Sequence, residues 1–528
     1  MKRRKFLEYT AAGAAGMSVP HFLPFFGAGK MSTSPWVRLL NKALTETDHV
    51  LVLIRLDGGN DGLNTVVPID QFDRLANARP HVILPENSLL GLDGQDSLGF
   101  HPAMADMRAL YDEGKMKIIQ SVGYPNQDFS HFRSSDIWMT AADSDEVFGT
   151  GWAGRYLQYE YPNYPADFPN ETMPDPPSLE IGPTTSLTLQ GPLTSMGISI
   201  FNPEEFYELV EGVQTPAPNT PAGELLTHIR TIARQSNSYG AVVTEAYQSA
   251  SNIADYPADN YLAEQLAIVA RLINGGLKTK IYLVSISGFD THDSQVNVND
   301  HTQGEHANLL RQLSQAVGAF MQDIQLMGIS ERVIGMTFSE FGRRIISNDS
   351  NGTDHGAAAP MFVFGHHVDG GVLGDNPNIP NNAQWDDNIP MQYDFRSIYS
   401  SVLKDWFCVP GEDIEGIMLH DFQSLPILSP SACTPTSTRD LNHLAGKQLL
   451  DVWPNPFSQQ VRLQFQAEGR TLIQVFNNAG QLVATPVNKH FPKGTHQIDC
   501  NLGSLPTGLY HFRIQNGPMQ QVRAVVKQ

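Results

Sequence analysis

The sequence predicts an α/β protein with a mostly parallel sheet flanked by helices, followed by a small C-terminal antiparallel β-sandwich. Three observations carry this. The runs 49–56, 281–286 and 332–338 are nearly continuously apolar and rich in β-branched residues, as strands buried on both faces are. Between the last two, residues 306–327 place Leu309, Leu313, Val317, Phe320 and Ile324 on one helical stripe, so strand, helix and strand form a βαβ unit of a parallel sheet. Beyond residue 449 the pattern changes to short stretches that alternate apolar and polar residues.

A chain of 528 residues exceeds what one core organises, so one large and one small domain are expected. A net charge of −20 excludes a nucleic-acid partner, because phosphate binding needs clustered Lys and Arg. The three cysteines, Cys408, Cys433 and Cys500, show no metal-binding spacing; Cys408 and Cys433 are the only two in one region, any disulfide is optional, and buried structural thiols are the preferred reading.

In order along the chain, Lys2-Arg3-Arg4-Lys5-Phe6-Leu7 and the mildly apolar residues to Gly29 read as a signal peptide over 1–29, too short and weakly apolar for a span. The paired arginines resemble a twin-arginine signal, which implies the twin-arginine translocase as a partner. No other stretch reads as membrane-spanning. The first strand, 49–56, empties into Asp57-Gly58-Gly59-Asn60-Asp61-Gly62, an acidic turn whose glycines permit close backbone approach. A helix over 102–113 and a strand over 116–122 precede Gly123 to Arg133, where Ser130-His131 lies in a loop. Residues 160–220 read as long loops over the sheet, and 221–273 as largely helical from a Thr220-Pro221 start. The strand 281–286 ends in Gly288-Phe289-Asp290-Thr291-His292. The strand 332–338 ends in Ser339-Glu340-Phe341-Gly342-Arg343, and Gly352-Thr353-Asp354-His355-Gly356 precedes an apolar run at 360–364. Domain 30–425 is followed by a Pro/Thr/Ser-rich linker, 426–448, and by the β-sandwich of 449–528.

Ligands gather outside the carboxyl ends of parallel strands. Asp57, Asp290 and Glu340 each follow a strand, and His292 and His355 lie in the adjoining loops. Carboxylate with imidazole suits Zn²⁺, Mn²⁺ or Fe, and an oxygen-dominated subset suits Mg²⁺ or Ca²⁺. Each residue alone also has a structural use: Asp290 as a helix cap, His292 in a loop, Glu340 paired to Arg343.

Two resemblances follow from these residues. Trp453-Pro454-Asn455-Pro456-Phe457, Asn478-Ala479-Gly480-Gln481, Leu505 to Tyr510 and Val525-Val526-Lys527 resemble the type IX secretion C-terminal sorting domain, which implies that secretion machinery as partner and a cell-surface or extracellular destination. Leu56 to Asn64, Ser130-His131-Phe132, Gly288 to His292, Ser339 to Arg343 and Gly352 to Gly356 resemble the domain-of-unknown-function 1501 family, itself similar to the alkaline phosphatase and sulfatase superfamily. The resemblance implies an alkaline phosphatase-like fold and metal-assisted hydrolysis of phosphate or sulfate esters, on an anionic small molecule or polysaccharide. The metal ligands would be Asp57, Asp290, His292, Glu340 and His355, with Ser130 or a water as nucleophile and Arg343 as anion clamp. The chain departs from the superfamily in the short Asp290-Thr291-His292 spacing and in lacking a histidine after Glu340; His131, Asp354, His301 or His306 could complete a site. A non-catalytic surface protein binding glycan or a partner is the other reading, whereas a serine hydrolase lacks its G-x-S-x-G turn around Ser130.

Overall fold

The structure, a computed structural model, describes residues 47–165, 168–170, 173–204, 238–429, 432–433, 450–477, 482–516 and 519–528. The signal segment 1–29 and the Thr220-Pro221 helix start lie outside them. Two compact units divide at Thr434 and Pro435.

The larger unit is built on a nine-stranded sheet. Its strands are β1 (Val50–Asp57), β5 (Met116–Gly123), β6 (Ser178–Ile181), β7 (Gly197–Ile200), β8 (Ile281–Ser287), β9 (Val333–Phe338), β10 (Ala359–Gly365), β11 (Gly371–Leu373) and β12 (Tyr393–Asp394). Strands β2 (Val66–Pro68), β3 (Leu90–Leu92) and β4 (Gln95–Phe100) form a separate small sheet. The order is β11-β5-β10-β9-β1-β8-β6-β7, with β12 on β5. Only β10 runs against the rest, antiparallel to both β9 and β5. Strand β1 is inserted between β8 and β9, parallel to each, so the expected βαβ crossover spans one intervening strand.

Alternation along β1 explains the layers. Val50, Val52, Ile54 and Leu56 face one core with helices α1 (Ala105–Asp112), α4 (Tyr261–Asn274) and α5 (Glu305–Leu326). Leu51 and Leu53 face the other, with α2 (His131–Thr140), α3 (Trp152–Glu160), α6 (Phe395–Asp405) and α7 (Gly411–Met418). All six side chains are buried, and each is worth roughly 1.5–3 kcal/mol of burial. A strand with no wet face has no reason to carry a polar residue until it ends, which is why β1 is legible and why its end is chemically distinct.

Three expectations change. Residues 160–220 are not only loops: β6 and β7 extend the sheet, four residues each, too short for alternation to show. The helical stretch ending at 273 is interrupted over 250–260, because the buried Asp323 carboxylate accepts from Ile253 N, Ala254 N, the Asn252 amide and the Tyr256 hydroxyl and holds that segment as a loop. The α/β unit also runs past residue 425, since Ile427 and Leu428 are buried in its core and Cys433 is disulfide-bonded to Cys408.

The smaller unit is an antiparallel sheet of β13 (Leu450–Trp453), β14 (Gln460–Asn477), β15 (Leu482–Asn501), β16 (Gly508–Asn516) and β17 (Met519–Lys527). The stretches at 461–465 and 472–476 belong to one long strand, with a register shift between Ala467 and Gly469 where a break was expected. Its core gathers Val461, Leu463, Phe465, Ile473, Val475, Phe512 and Val525. The turn at 478–481 lies outside the described residues, and no helix among those described is long and apolar enough to cross a membrane.

Candidate metal centre

One edge of the large sheet collects the chemistry. The parallel strands β1, β5, β8 and β9 all end there, and antiparallel β10 begins there, so the loops after Asp57, Gly123, Ser287 and Phe338 and the loop before Ala359 share that edge. Close packing of these loops requires Gly58 and Gly59, both at positive φ. A Cβ on Gly58 would lie 2.3 Å from the Asp290 amide nitrogen, and one on Gly59 2.3 Å from the Phe341 ring.

Three imidazoles converge on Asp290. His292 Nε2 lies 3.2 Å and His355 Nε2 3.4 Å from its Oδ1, and His131 Nε2 lies 3.4 Å from its Oδ2. His292 Nε2 and His355 Nε2 are 2.8 Å apart. Each Nδ1 is held from behind by an acceptor: His355 by the Phe129 carbonyl at 2.7 Å, His292 by Asp354 Oδ1 at 3.1 Å and His131 by Glu340 Oε1 at 2.9 Å. Carbonyl and carboxylate oxygens can only accept here, so each Nδ1 carries a proton, and in its neutral form each ring presents a lone pair at Nε2. Phe341 packs against the His131 and His355 rings and fixes their planes.

Four acceptors facing one another repel unless a cation or protons lie among them. Protons are disfavoured at two of the four. Burial, together with the charge of Arg343, pushes His355 below its ordinary value against the Phe129 hydrogen bond. Burial raises Asp290, but the hydrogen bond and charge of Arg343 outweigh it and hold the carboxyl below the usual range. His131 Nε2 is buried and has no hydrogen-bond partner. The residues therefore fit a metal ion. His131, Asp290 and His355 offer ligand atoms all within 4.8 Å of one another, and the 3.2 and 3.4 Å contacts of His292 and His355 to Asp290 Oδ1 are close to the ~3.3 Å edge of a tetrahedron with bonds of ~2.0–2.1 Å. The backing of each Nδ1 by carboxylate or carbonyl is the arrangement that orients metal-binding histidines. Asp290 is 47% exposed, which leaves the centre open to a ligand from solvent.

The residues expected from sequence divide. Asp290, His292 and His355 are brought together. Glu340 is buried behind them, its Oε1 accepting from Gly58 N at 2.9 Å as well as from His131, so it holds the His131 ring in place. Asp57 is not brought to the cluster: its carboxylate pairs with Arg55 at 2.5 Å and accepts from Ser287 Oγ at 3.2 Å, because residues two apart on a strand share a face. Arg343 is fully buried; it donates to the carbonyls of Gly58, Gly59, Phe289 and Thr353 and to Asp290 Oδ1 at 2.8 Å, leaving no face for an anion. Ser130 is exposed at the N-terminus of α2, between Phe129, whose carbonyl holds His355, and His131. Among the residues considered for completing a site, Asp354 braces His292, His301 bonds the Ile83 carbonyl and His306 is buried against Asn60. His131 is the residue that joins the cluster, and the signal for it was its place after a strand that ends at the same edge.

Comparison with known proteins adds the following. The family described as protein of unknown function (DUF1501) matches residues 263–392, which include Asp290, His292 and His355. No curated protein matches the chain. Among solved structures, a sulfatase from Pseudoalteromonas sp. is 9% identical, with 88% of this chain and 86% of that one covered and a TM-score of 0.30. A protein in the alkaline phosphatase superfamily from Vibrio parahaemolyticus is 8% identical, covers 89% and 85%, and has a TM-score of 0.30. A phosphonate monoester hydrolase from Silicibacter pomeroyi is 9% identical, covers 90% and 88%, and also scores 0.30. At that level of superposition no residue role passes from them to this chain. Residues 451–528 match the secretion system C-terminal sorting domain, so the chain couples a segment similar to the DUF1501 family to a tail that marks it for export to the cell surface or the extracellular space.

Proposed function

We propose that the protein is an exported metal-dependent hydrolase of phosphate or sulfate esters, with one centre held by His131, Asp290, His292 and His355. The convergence of three Nε2 lone pairs on a single exposed carboxylate carries this reading. Three imidazoles and one carboxylate suit Zn²⁺, or Mn²⁺ and Fe, better than Mg²⁺ or Ca²⁺. Such an ion, when bound, polarises an ester oxygen and lowers the pKa of a coordinated hydroxyl.

The chain's own groups supply the rest. Helix α2 starts at the centre without a side-chain cap, and its first-turn N–H groups and dipole favour an anion there. This replaces Arg343 as the source of anion binding. In this reading the exposed hydroxyl of Ser130, next to His131 in the chain, would be the nucleophile. Glu340 and Asp354 keep His131 and His292 in the tautomer that turns Nε2 towards Asp290.

The spent Arg343 and the engagement of the Asp57 carboxylate by Arg55 and Ser287 favour a second reading, a metal-holding surface protein without catalysis. Both are tested by metal analysis of purified wild type, Asp290→Ala and His131→Ala, alongside turnover of 4-nitrophenyl phosphate and 4-nitrophenyl sulfate. The hydrolase reading expects about one metal per chain, lost in both variants together with at least a hundredfold of turnover. Stoichiometric metal without turnover of either ester supports the second reading. Wild type that takes up no added Zn²⁺ or Mn²⁺ sinks both.

A further inference from the structure

Five aromatic side chains are exposed among the described residues of the larger unit: Phe129, Phe132, Phe201, Tyr261 and Trp385. Three of them hang on the metal centre. Phe129 holds His355 through its carbonyl, and Phe132, 88% exposed, follows His131 in the chain. Trp385, 68% exposed, reaches the centre through Arg344, which donates Nη1 to the Trp385 carbonyl at 2.6 Å and Nε to the His355 carbonyl at 3.2 Å. The Arg344 guanidinium carbon lies 4.9 Å from the centre of the Trp385 ring. The guanidinium is thus fixed between an exposed indole and the centre by two of its three nitrogens, its charge also acts on the Asp354 carboxylate, and Nη2 makes no hydrogen bond among the described residues.

We infer that Trp385 and Arg344 form a subsite for a saccharide bearing an isolated anionic ester group, the sugar lying on the indole face that Arg344 leaves open and the ester reaching past the ring edge to the guanidinium. Which bond is then cut rests on the hydrolase reading; the binding does not. Isolated rings set among charged and hydrogen-bonding groups suit a ligand with C–H faces and hydroxyl edges, since the electron-rich ring face attracts polarised C–H groups. A lipid or protein partner would need a continuous apolar area of several hundred Å². The net charge of −20 repels a densely charged polyanion, so the attraction must be local, to one ester group near Arg344.

Calorimetric titration of the metal-loaded protein with 6′-sulfolactose, lactose and a heparin-derived octasaccharide tests this. Sulfolactose is expected to bind at least tenfold more tightly than lactose. Trp385→Ala should weaken both at least tenfold, Arg344→Gln should erase the difference between them, and Phe201→Ala should change neither. The inference is overturned if Trp385→Ala binds like wild type, if heparin binds more tightly than sulfolactose, or if neither lactose compound binds. Sulfolactose bound by Asp290→Ala in a Trp385-dependent way would uphold the subsite even if the hydrolase reading failed. Intact 4-nitrophenyl ester turnover with no effect of Trp385→Ala on binding would sink the subsite alone.

Discussion

The three imidazoles of the centre are oriented by what holds their Nδ1: a backbone carbonyl for His355, and carboxylates for His131 and His292. Glu340 looks from sequence like a ligand, because it is an acid just past a buried strand. Its burial and its bond to Gly58 N instead make it the support for His131. Glu340→Gln should keep the metal but weaken its affinity by roughly 10–100-fold, the usual effect of losing such a partner. Asp57→Asn should leave affinity within about twofold, since Asp57 is engaged by Arg55 and Ser287. Competition with a chelator of known affinity measures both. A large loss in Asp57→Asn with none in Glu340→Gln would return Asp57 to the ligand set and remove Glu340 from it.

At the scale of elements, the loop after β1 is locked to α5 and to the ligand-bearing loops by a buried polar network. Asp61 pairs with Arg79 at 2.8 Å, both fully buried, and accepts from Gln295, which in turn accepts from Thr291 and Thr353 beside the ligands. His306, in the first turn of α5, bonds Asn60. Burial lowers the His306 pKa to about 4, partly offset by Asp61 and reinforced by Arg79. The unfolded chain takes up this proton below about pH 6.5 and the folded chain does not, so stability is present above that pH and is lost as pH falls towards 4. At pH 5 the loss from His306 is about 2 kcal/mol. His101, lowered by burial to about 3, acts in the same direction. Urea unfolding at pH 7.5 and pH 5, with EDTA present to remove any metal contribution, should show His306→Gln recovering about 2 kcal/mol of the difference. An identical pH dependence in the variant would refute this role.

For the molecule as a whole, export and covalent closure agree. A sorting tail takes the chain to an oxidising compartment, where the Cys408–Cys433 disulfide can persist, and Cys500 stays a buried free thiol. The bridge closes a separation of 25 residues, for which the loss of loop entropy in the unfolded chain gives about 3.5 kcal/mol. Changing both cysteines to serine should lower the unfolding free energy of the α/β unit by about that amount without changing metal stoichiometry. No change in the urea midpoint would mean the bridge constrains nothing.

The strands 50–57, 281–287 and 333–338, helix α5 and the alternating tail were legible in the sequence because burial on two faces, on one stripe or on alternate positions writes its own period into the residues. Asp290, His292 and His355 were legible because polar groups crowd where such strands stop. The sequence could not say that β1 lies between β8 and β9, that His131 from a separate strand end faces Asp290, or that Arg343 and Glu340 are turned inwards. Those are matters of which strand ends become neighbours and which acceptors a buried donor then meets. Such contacts span more than fifty residues and follow from packing, leaving no period in the chain for a sequence to display.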